Sequence, residues 1–356
     1  MTMIEPVQRP RYGILTYHSG FNFGAFLQAY ALQRSLDKLG YQSEIINYKS
    51  RFHSYWEYRC LFFTRRLAVL FGNFKKMMAF FRAHKKLNLS RVASDVAELS
   101  GLNYECVVFG SDEIWNYSNP IVKLDPVYFG LGVPTARRIS FAASCGSLSQ
   151  NSEVPDVVSN GWQQFDNIAV RDGNTKELVR QHVGIPVELV LDPTFLVDFS
   201  GEEIECHEKD FILVYTTGFT LEVQRSVREY ANRVGKHLVS IGYRNNFCDK
   251  NVIGIGPFEF LGYYKAADVV ITSMFHGTIF GIKYNKPLAI LVDTYRTNKL
   301  ATMLEQFGLR DRVTNAEELE ATLARPIDYA RINFLIDDGV AHSINYLQRA
   351  CSEVPK

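Results

Sequence analysis

Residues 12–48 read YGILTYHSGFNFGAFLQAYALQRSLDKLGYQSEIINY, and their spacing decides the fold class. Tyr12 to Thr16 form a compact apolar run of strand character. From Ala25 onward Phe26, Leu27, Ala29, Tyr30, Leu32, Leu36 and Leu39 recur at helical spacing until Gly40 stops the helix, and residues 43–48 are strand-like again. Strand, helix, strand is the unit that builds a parallel sheet. Strand-like runs return at 106–109, 138–142, 167–170 and 187–191, with a helix over about 175–182 closed by Gly184. The acidic, aperiodic stretch 198–210 sets a domain boundary near residue 205. Beyond it a second series alternates strands at 211–215, 237–241, 251–255, 268–272 and 288–292 with helices at 221–234, at 258–266 and after Gly277. The pattern predicts an α/β protein of two doubly wound halves, 1–205 and 206–356, in a chain whose 356 residues suit two domains of about 150 each.

Thirty-nine Lys and Arg balance 38 Asp and Glu, so no overall field draws the chain to nucleic acid or to a membrane. The six cysteines, Cys60, Cys106, Cys145, Cys206, Cys248 and Cys351, stand far apart without a C-x-x-C pair and read as buried free thiols, and no metal-ligand cluster is spelled out. Neither a signal peptide nor a run approaching ~18 apolar residues occurs, which makes the cytoplasm the expected compartment. Within the predicted insert 51–100, residues 51–91 differ in character. Ten Lys or Arg stand there against the single acid Glu57, interleaved with Phe52, Tyr55, Trp56, Phe62, Phe63, Phe71, Phe74, Phe80 and Phe81. A helical insert packed on the body with solvated cations is one reading; a second is a basic amphipathic face resting on anionic lipid at the inner side of the membrane, or on a lipid-linked acceptor, and a third is a contact with nucleic acid.

Residues 268–286, DVVITSMFHGTIFGIKYNK, carry the most chemistry. A buried strand ends at Thr272, Ser273 to Phe275 turn, and Gly277 is expected to open a helix with Thr278 in its first turn, placing His276 at the carboxyl edge of a parallel sheet. Open α/β folds bind ligands at that edge, and free N–H groups of a helix N-terminus hold anions. His276 could pass between acid and base as an anionic substrate arrives and leaves, or it could simply cap the helix. At 168–175, IAVRDGNT, Arg171 follows a strand and could grip a carboxylate or phosphate with two prongs, or pair with Asp172. The turn 18–25, HSGFNFGA, lacks the G-x-G-x-x-G spacing of a dinucleotide site, though Asn22 and Gly24 could bring backbone close to a sugar or anion. Ser111, Asp112, Trp115 and Asn116 in GSDEIWN are a mixture suited to sugar hydroxyls and an apolar sugar face, with core packing the alternative for Trp115. Cys145 in SCGS has no base beside it in sequence.

Together GILTYHSGFNFGAFLQAYAL, VVFGSDEIWN, ISFAASCGS, IAVRDGNTKEL, VELVLDPTFL, ITSMFHGTIFGIKYNKPLAIL and NKLATMLEQFGLRDRV resemble the polysaccharide pyruvyl transferase family, in family order from residue 13 to about 313. The resemblance implies two Rossmann-like domains facing across a cleft, as in GT-B glycosyltransferases, with a C-terminal helix returning to the first domain. It also implies transfer of an enolpyruvyl unit from phosphoenolpyruvate to two sugar hydroxyls, without a cofactor. On this resemblance His276 and Arg171 are catalytic, with Asp112 orienting or deprotonating an acceptor hydroxyl. Phe275, Gly277, Thr278, Ser273 and Lys299 fall to the donor, and Asn22, Gly24, Ser111, Trp115 and Asn116 to a sugar or lipid-linked glycan acceptor. Met274 stands where some members carry arginine, Asp172 where glutamate is usual, and Lys299 where arginine is common. Rival expectations are a nucleotide-sugar glycosyltransferase in the same frame and a noncatalytic carbohydrate-binding relative.

Overall fold

The structure, a computed structural model, describes residues 11–64, 66–120, 122–292 and 294–353. Every strand pairing in it is parallel. Strands β1 (Arg11–Leu15), β2 (Gln42–Ile45), β3 (Tyr104–Phe109) and β4 (Thr135–Ser140) form one sheet in the order β2-β1-β3-β4. The pair β5 (Ile168–Val170) and β6 (Val187–Leu189) continues it through bridges from Ile139 to Asn167 and from Ala143 to Val170. A second sheet runs β11-β10-β7-β8-β9, from β7 (Phe211–Tyr215), β8 (His237–Ile241), β9 (Lys250–Val252), β10 (Val269–Thr272) and β11 (Leu288–Ile290). Strands such as β7 and β10 are buried along their whole length, as a sheet covered by helices on both faces requires.

Strand order reverses once in each sheet, between β1 and β3 and between β7 and β10. At such a point the loops leaving neighbouring strands turn to opposite faces and open a crevice at the carboxyl edge. Helix α1 (Phe23–Lys38), capped by the Asn22 side chain, carries the chain away from β1 and is buried along most of its length. Its two faces serve both sheets: Phe26, Leu27 and Tyr30 share one core with Phe258, Phe260 and Leu261, and Phe23 stacks on Phe260 with ring centroids 4.6 Å apart. An aromatic pair of this kind adds about 1 kcal/mol beyond its area burial.

Helices α2 (Arg51–Phe62) and α3 (Leu67–His84) confirm the helical reading of the basic segment. One side packs inward through Leu61, Ala79, Phe80 and Ala83, and Gly72 lies against Ile253 near the second sheet. The other side leaves Tyr55, Phe63, Leu67, Phe71 and Phe74 exposed, Phe63 at 80%. The C-terminal helix Tyr329–Ser352 begins where the Tyr329 hydroxyl meets the Lys286 carbonyl and ends against the first sheet, where Arg137 of β4 donates to the carbonyls of Ala350 and Cys351. Cys106, Cys145, Cys248 and Cys351 are buried free thiols, whereas Cys206 is half-buried; the Cys60 side chain lies outside the described residues. No helix among the described residues is long and apolar enough to cross a membrane.

Candidate active site

The two points of reversal face each other. The loop after β1 and the loop after β3 bring Asn22, Asp112 and Glu113, the loop after β5 brings Arg171, and the second sheet supplies Tyr215, Ser273, Met274, Phe275 and His276. Together with Lys299 they enclose a cavity of about 230 Å³. The helix on the second-sheet side spans Phe275–Lys283 with Met274 as its cap, so it starts two residues earlier than expected. Met274 has no side-chain oxygen to accept a capping bond, and Thr278 N–H is the first to find an intrahelical carbonyl, that of Met274. The N–H groups of Phe275, His276 and Gly277 are thus the helix's free donors. Gly277 itself is buried beneath them, and a Cβ there would stand 2.2 Å from Thr272 Oγ1, so the residue allows the helix to sit tightly on β10. Thr278 is also buried, its hydroxyl donating to the Met274 carbonyl.

Arg171 is 8% exposed and held from two sides, by Asp192 Oδ2 at 2.8 Å and Asp112 Oδ1 at 3.2 Å, with its guanidinium 4.3 Å from the Phe275 ring centroid. Its partners are these two carboxylates rather than the neighbouring Asp172. Burial opposes the guanidinium charge, and Asp112 and Asp192 more than offset it, so its pKa is raised. Asp172 caps helix Gly173–Arg180 and accepts from Ser144 Oγ and Thr175, a structural role. Asp112 sits at φ 72, a left-handed conformation that Asp tolerates better than most residues, and this turns its carboxylate towards Arg171.

Asp192 was not singled out in the sequence. It leaves β6 in the run Leu-Asp-Pro-Thr-Phe, is 3% exposed, and accepts from Arg171, from Ser111 Oγ at 3.3 Å and from the Thr194 N–H and hydroxyl. His276 Nε2 stands 3.7 Å from its Oδ2, too far for a hydrogen bond but an ion pair when the ring is protonated. Burial would raise the Asp192 pKa, yet His276, Arg171 and Thr194 together hold it well below the usual carboxylate range. His276 Nε2 is buried and has no hydrogen-bond partner among the described residues. The other side of the ring lies on Gly24 of the first sheet's helix, where a Cβ would come within 2.0 Å of Nδ1. Gly24 is therefore the surface on which the imidazole is seated. Lys299 completes the wall, 2.6 Å from Glu113 Oε1. Burial opposes the Glu113 charge, but Lys299 and Arg171 outweigh it and its pKa is lowered.

Three residues expected on the acceptor side turn inward. Trp115 is 0% exposed, donates to the Tyr128 carbonyl and packs on Trp162 and Phe165, so it is core rather than a sugar platform. Ser111 is buried and spends its hydroxyl on Asp192, and Asn116 is buried against Glu113. Asn22 lines the cavity, its oxygen engaged as the α1 cap by Gly24 N–H at 2.9 Å. Ser273 also lines the cavity, hydrogen-bonded to Thr216 at 2.7 Å. Cys145 is buried and its thiol pushed up by desolvation, which leaves it inert as a nucleophile. No group of three His, Cys, Asp or Glu side chains fit to hold a metal occurs among the described residues.

A family model described as polysaccharide pyruvyl transferase matches residues 22–293, a stretch that runs from the start of α1 past β11. The chain belongs to this family. Solved structures share the frame of this chain. The S. aureus MnaA–UDP co-structure superposes with a TM-score of 0.54 at 12% identity, covering 98% of each chain. A putative UDP-N-acetylglucosamine 2-epimerase from Listeria monocytogenes gives 0.51 at 13%, covering 98% of this chain and 99% of that one. An alpha-glucosyltransferase (AGT) in complex with UDP gives 0.51 at 11%, covering 96% of each. At such identities the likeness shows the fold, an α/β frame of two Rossmann-like domains as in the GT-B enzymes. No curated protein matches in sequence.

Proposed function

We propose that this pyruvyl transferase family member moves the enolpyruvyl unit of phosphoenolpyruvate onto two hydroxyls of a glycan, forming a pyruvate ketal. The observation that carries the reading is the convergence of Arg171, Lys299, His276 and the free N–H groups of helix Phe275–Lys283 on one small cavity, a donor set matched to a compact anion bearing a carboxylate and a phosphate. Protonation of the methylene carbon by His276 makes the neighbouring carbon electrophilic, with the Asp192 carboxylate 3.7 Å from Nε2 as the ring's counter-charge. One acceptor hydroxyl attacks that carbon and gives its proton to Asp112. Phosphate then leaves, its charge met by the helix N–H groups and Lys299, and carries away the proton held by Asp112; the second hydroxyl closes the ring and gives its proton back to His276.

Asp112 suits this role by position. A larger cavity of about 520 Å³ adjoins the first, and Asn22, Asp112 and Glu113 line both. An acceptor in the larger space would present its hydroxyls to the donor at these three residues. We further assign the exposed face of α2 and α3 to an anionic membrane surface. The acid of these helices, Glu57, is turned inward onto Lys49 and His53, leaving Arg59, Arg66, Lys75 and Arg82 among exposed aromatics. Peripheral docking would bring a lipid-linked acceptor to the cavity mouth.

The decisive assay is release of inorganic phosphate from phosphoenolpyruvate, which should require a sugar acceptor. His276→Ala should lower turnover about a hundred- to ten-thousand-fold, as loss of a general acid does, and Arg171→Ala should weaken phosphoenolpyruvate binding. Stabilisation by a nucleoside diphosphate with none by phosphoenolpyruvate would instead make the protein a nucleotide-sugar enzyme.

A further inference from the structure

The larger cavity has a charged end of its own. Its walls are aromatic, from Tyr17, Phe21, Trp56 and Tyr243, and its acids are already partnered: Glu57 by Lys49 and His53, Asp112 by Arg171, Glu113 by Lys299. Two cations that line it, Lys76 of α3 and Arg244 after β8, have no carboxylate partner among the described residues. Lys76 is 4% exposed. Its ammonium stands 4.5 Å from the Phe23 ring centroid and 5.3 Å from that of Tyr243, contacts that tolerate a cation without neutralising it. Burial alone brings its pKa down to about 8, so desolvation is uncompensated by any anion. Nothing in the fold of α3 asks for a charge here, because Ala79, Phe80 and Ala83 on the same buried side are apolar.

We infer that Lys76 and Arg244 form an anion subsite for the acceptor, so that the preferred acceptor is a glycan carrying a negatively charged group at the end remote from Asp112. The inference rests on the proposed function for the word acceptor and on the cavity alone for the site. The charge is a carboxylate on the sugar or a phosphate attached to it, and both would meet the same two cations. The indole N–H of Trp56, buried and without a partner among the described residues, lies in the same wall and gives the ring's hydroxyls a donor. A lysine with depressed pKa also makes the subsite respond to pH. Below about pH 8 it is charged and above that it loses its charge, while the neighbouring Glu57 and Glu113, held low by the cations beside them, stay ionised. Anion affinity therefore falls as pH rises through about 8.

Trp56 supplies the readout, since Trp115 and Trp162 are 0% exposed in the core. The full-length protein is titrated, with fluorescence as signal, against N-acetylglucosamine 1-phosphate, glucuronic acid and neutral N-acetylglucosamine. At least one anionic probe should bind about tenfold tighter than the neutral one, a single charge-assisted contact's worth, and which one wins identifies a phosphate-linked or an acidic acceptor. Lys76→Met, which keeps the chain length and removes the charge, should abolish the preference, Lys76→Arg should retain part of it, and Arg244→Gln, on an exposed residue, should weaken it. Equal binding of all three probes, or a preference that survives Lys76→Met, overturns the inference. Calorimetry of phosphoenolpyruvate on the same variants separates the two readings: unchanged donor affinity is expected in Lys76→Met, and absence of donor binding in the wild type would remove the proposed reaction while leaving the anion subsite standing.

Discussion

At the scale of single residues, the imidazole of His276 is placed from outside its own domain. Gly24 supplies a flat surface and Asp192 a counter-charge, and each can be removed separately. A methyl group at residue 24 would overlap the ring at 2.0 Å from Nδ1 and push it off that surface, since the atom in the way is the side chain itself. Gly24→Ala should therefore fold, because Ala suits the first turn of a helix, yet lose turnover by a factor close to that of His276→Ala. Steady-state kinetics beside a melting curve test this, and a variant of normal activity would show that the ring position is immaterial. Asp192 acts on stability as well. Its folded pKa is depressed, so its contribution is complete above the unfolded value of ~3.9 and is lost progressively as the pH falls from there through the lower folded value. Asp192→Asn leaves Arg171 with one carboxylate and should cost on the order of 3–5 kcal/mol at neutral pH, with the gap to wild type narrowing in acid. Denaturant titrations at pH 7 and pH 3 measure both arms; a gap independent of pH would rule out the ion pairs as its source.

At the scale of elements, the fold was legible because its signals are local. The apolar period in 25–39 and the stop at Gly40, which sits at φ 88, are enough for α1, and the cap came from Asn22. Helix Phe275–Lys283 was placed two residues late because its cap, Met274, carries none of the usual capping chemistry. For Trp115 the sequence leaves a sugar platform and core packing both open: polar neighbours in GSDEIWN suggest a surface turn, and only tertiary packing on Trp162 fixes which way the ring points. Asp192 escaped notice because an Asp before Pro at a strand end is a common turn signal, and its meaning depends on Arg171 and His276 arriving from elsewhere in the chain. The hairpin of α2 and α3 showed its composition plainly and its orientation not at all. Given the exposed aromatics and cations, it should bind vesicles containing acidic phospholipid and release them as salt is raised towards 0.5 M, a range where the screening length falls below about 8 Å. Phe63→Asp should weaken retention without altering phosphoenolpyruvate binding. Equal sedimentation with neutral vesicles would remove the electrostatic component.

For the whole molecule, the cavity exists only while the two sheets keep their mutual position, since its cations come from both. Two features hold them: the aromatic core around α1, and helix Tyr329–Ser352, whose start is tied near β11 and whose end lies on β1 and β4. The second joins the core through Ile332, Tyr346, Leu347 and Ala350, and its end is fixed by hydrogen bonds. Arg137, 5% exposed, donates to Ala350 at 2.7 Å and to Cys351 at 3.3 Å, satisfying carbonyls that the helix end cannot pair internally, while the Tyr346 hydroxyl donates to Ser140 at 2.9 Å and Ser343 Oγ accepts from Leu191 at 3.0 Å. Arg137→Met strands buried acceptors at about 1–3 kcal/mol each, far from the cavity and with no substrate contact. The expected result is a lower melting temperature together with weaker phosphoenolpyruvate binding, because the helix end comes loose and the sheets gain freedom that the ligand must remove again. Saturating phosphoenolpyruvate should then raise the melting temperature of the variant more than that of wild type, as ligand and helix restore the same arrangement. If Arg137→Met melts earlier but binds the donor with wild-type affinity, the helix stabilises the first sheet alone, and the mutual position of the sheets is held by the core around Phe23 and Phe260.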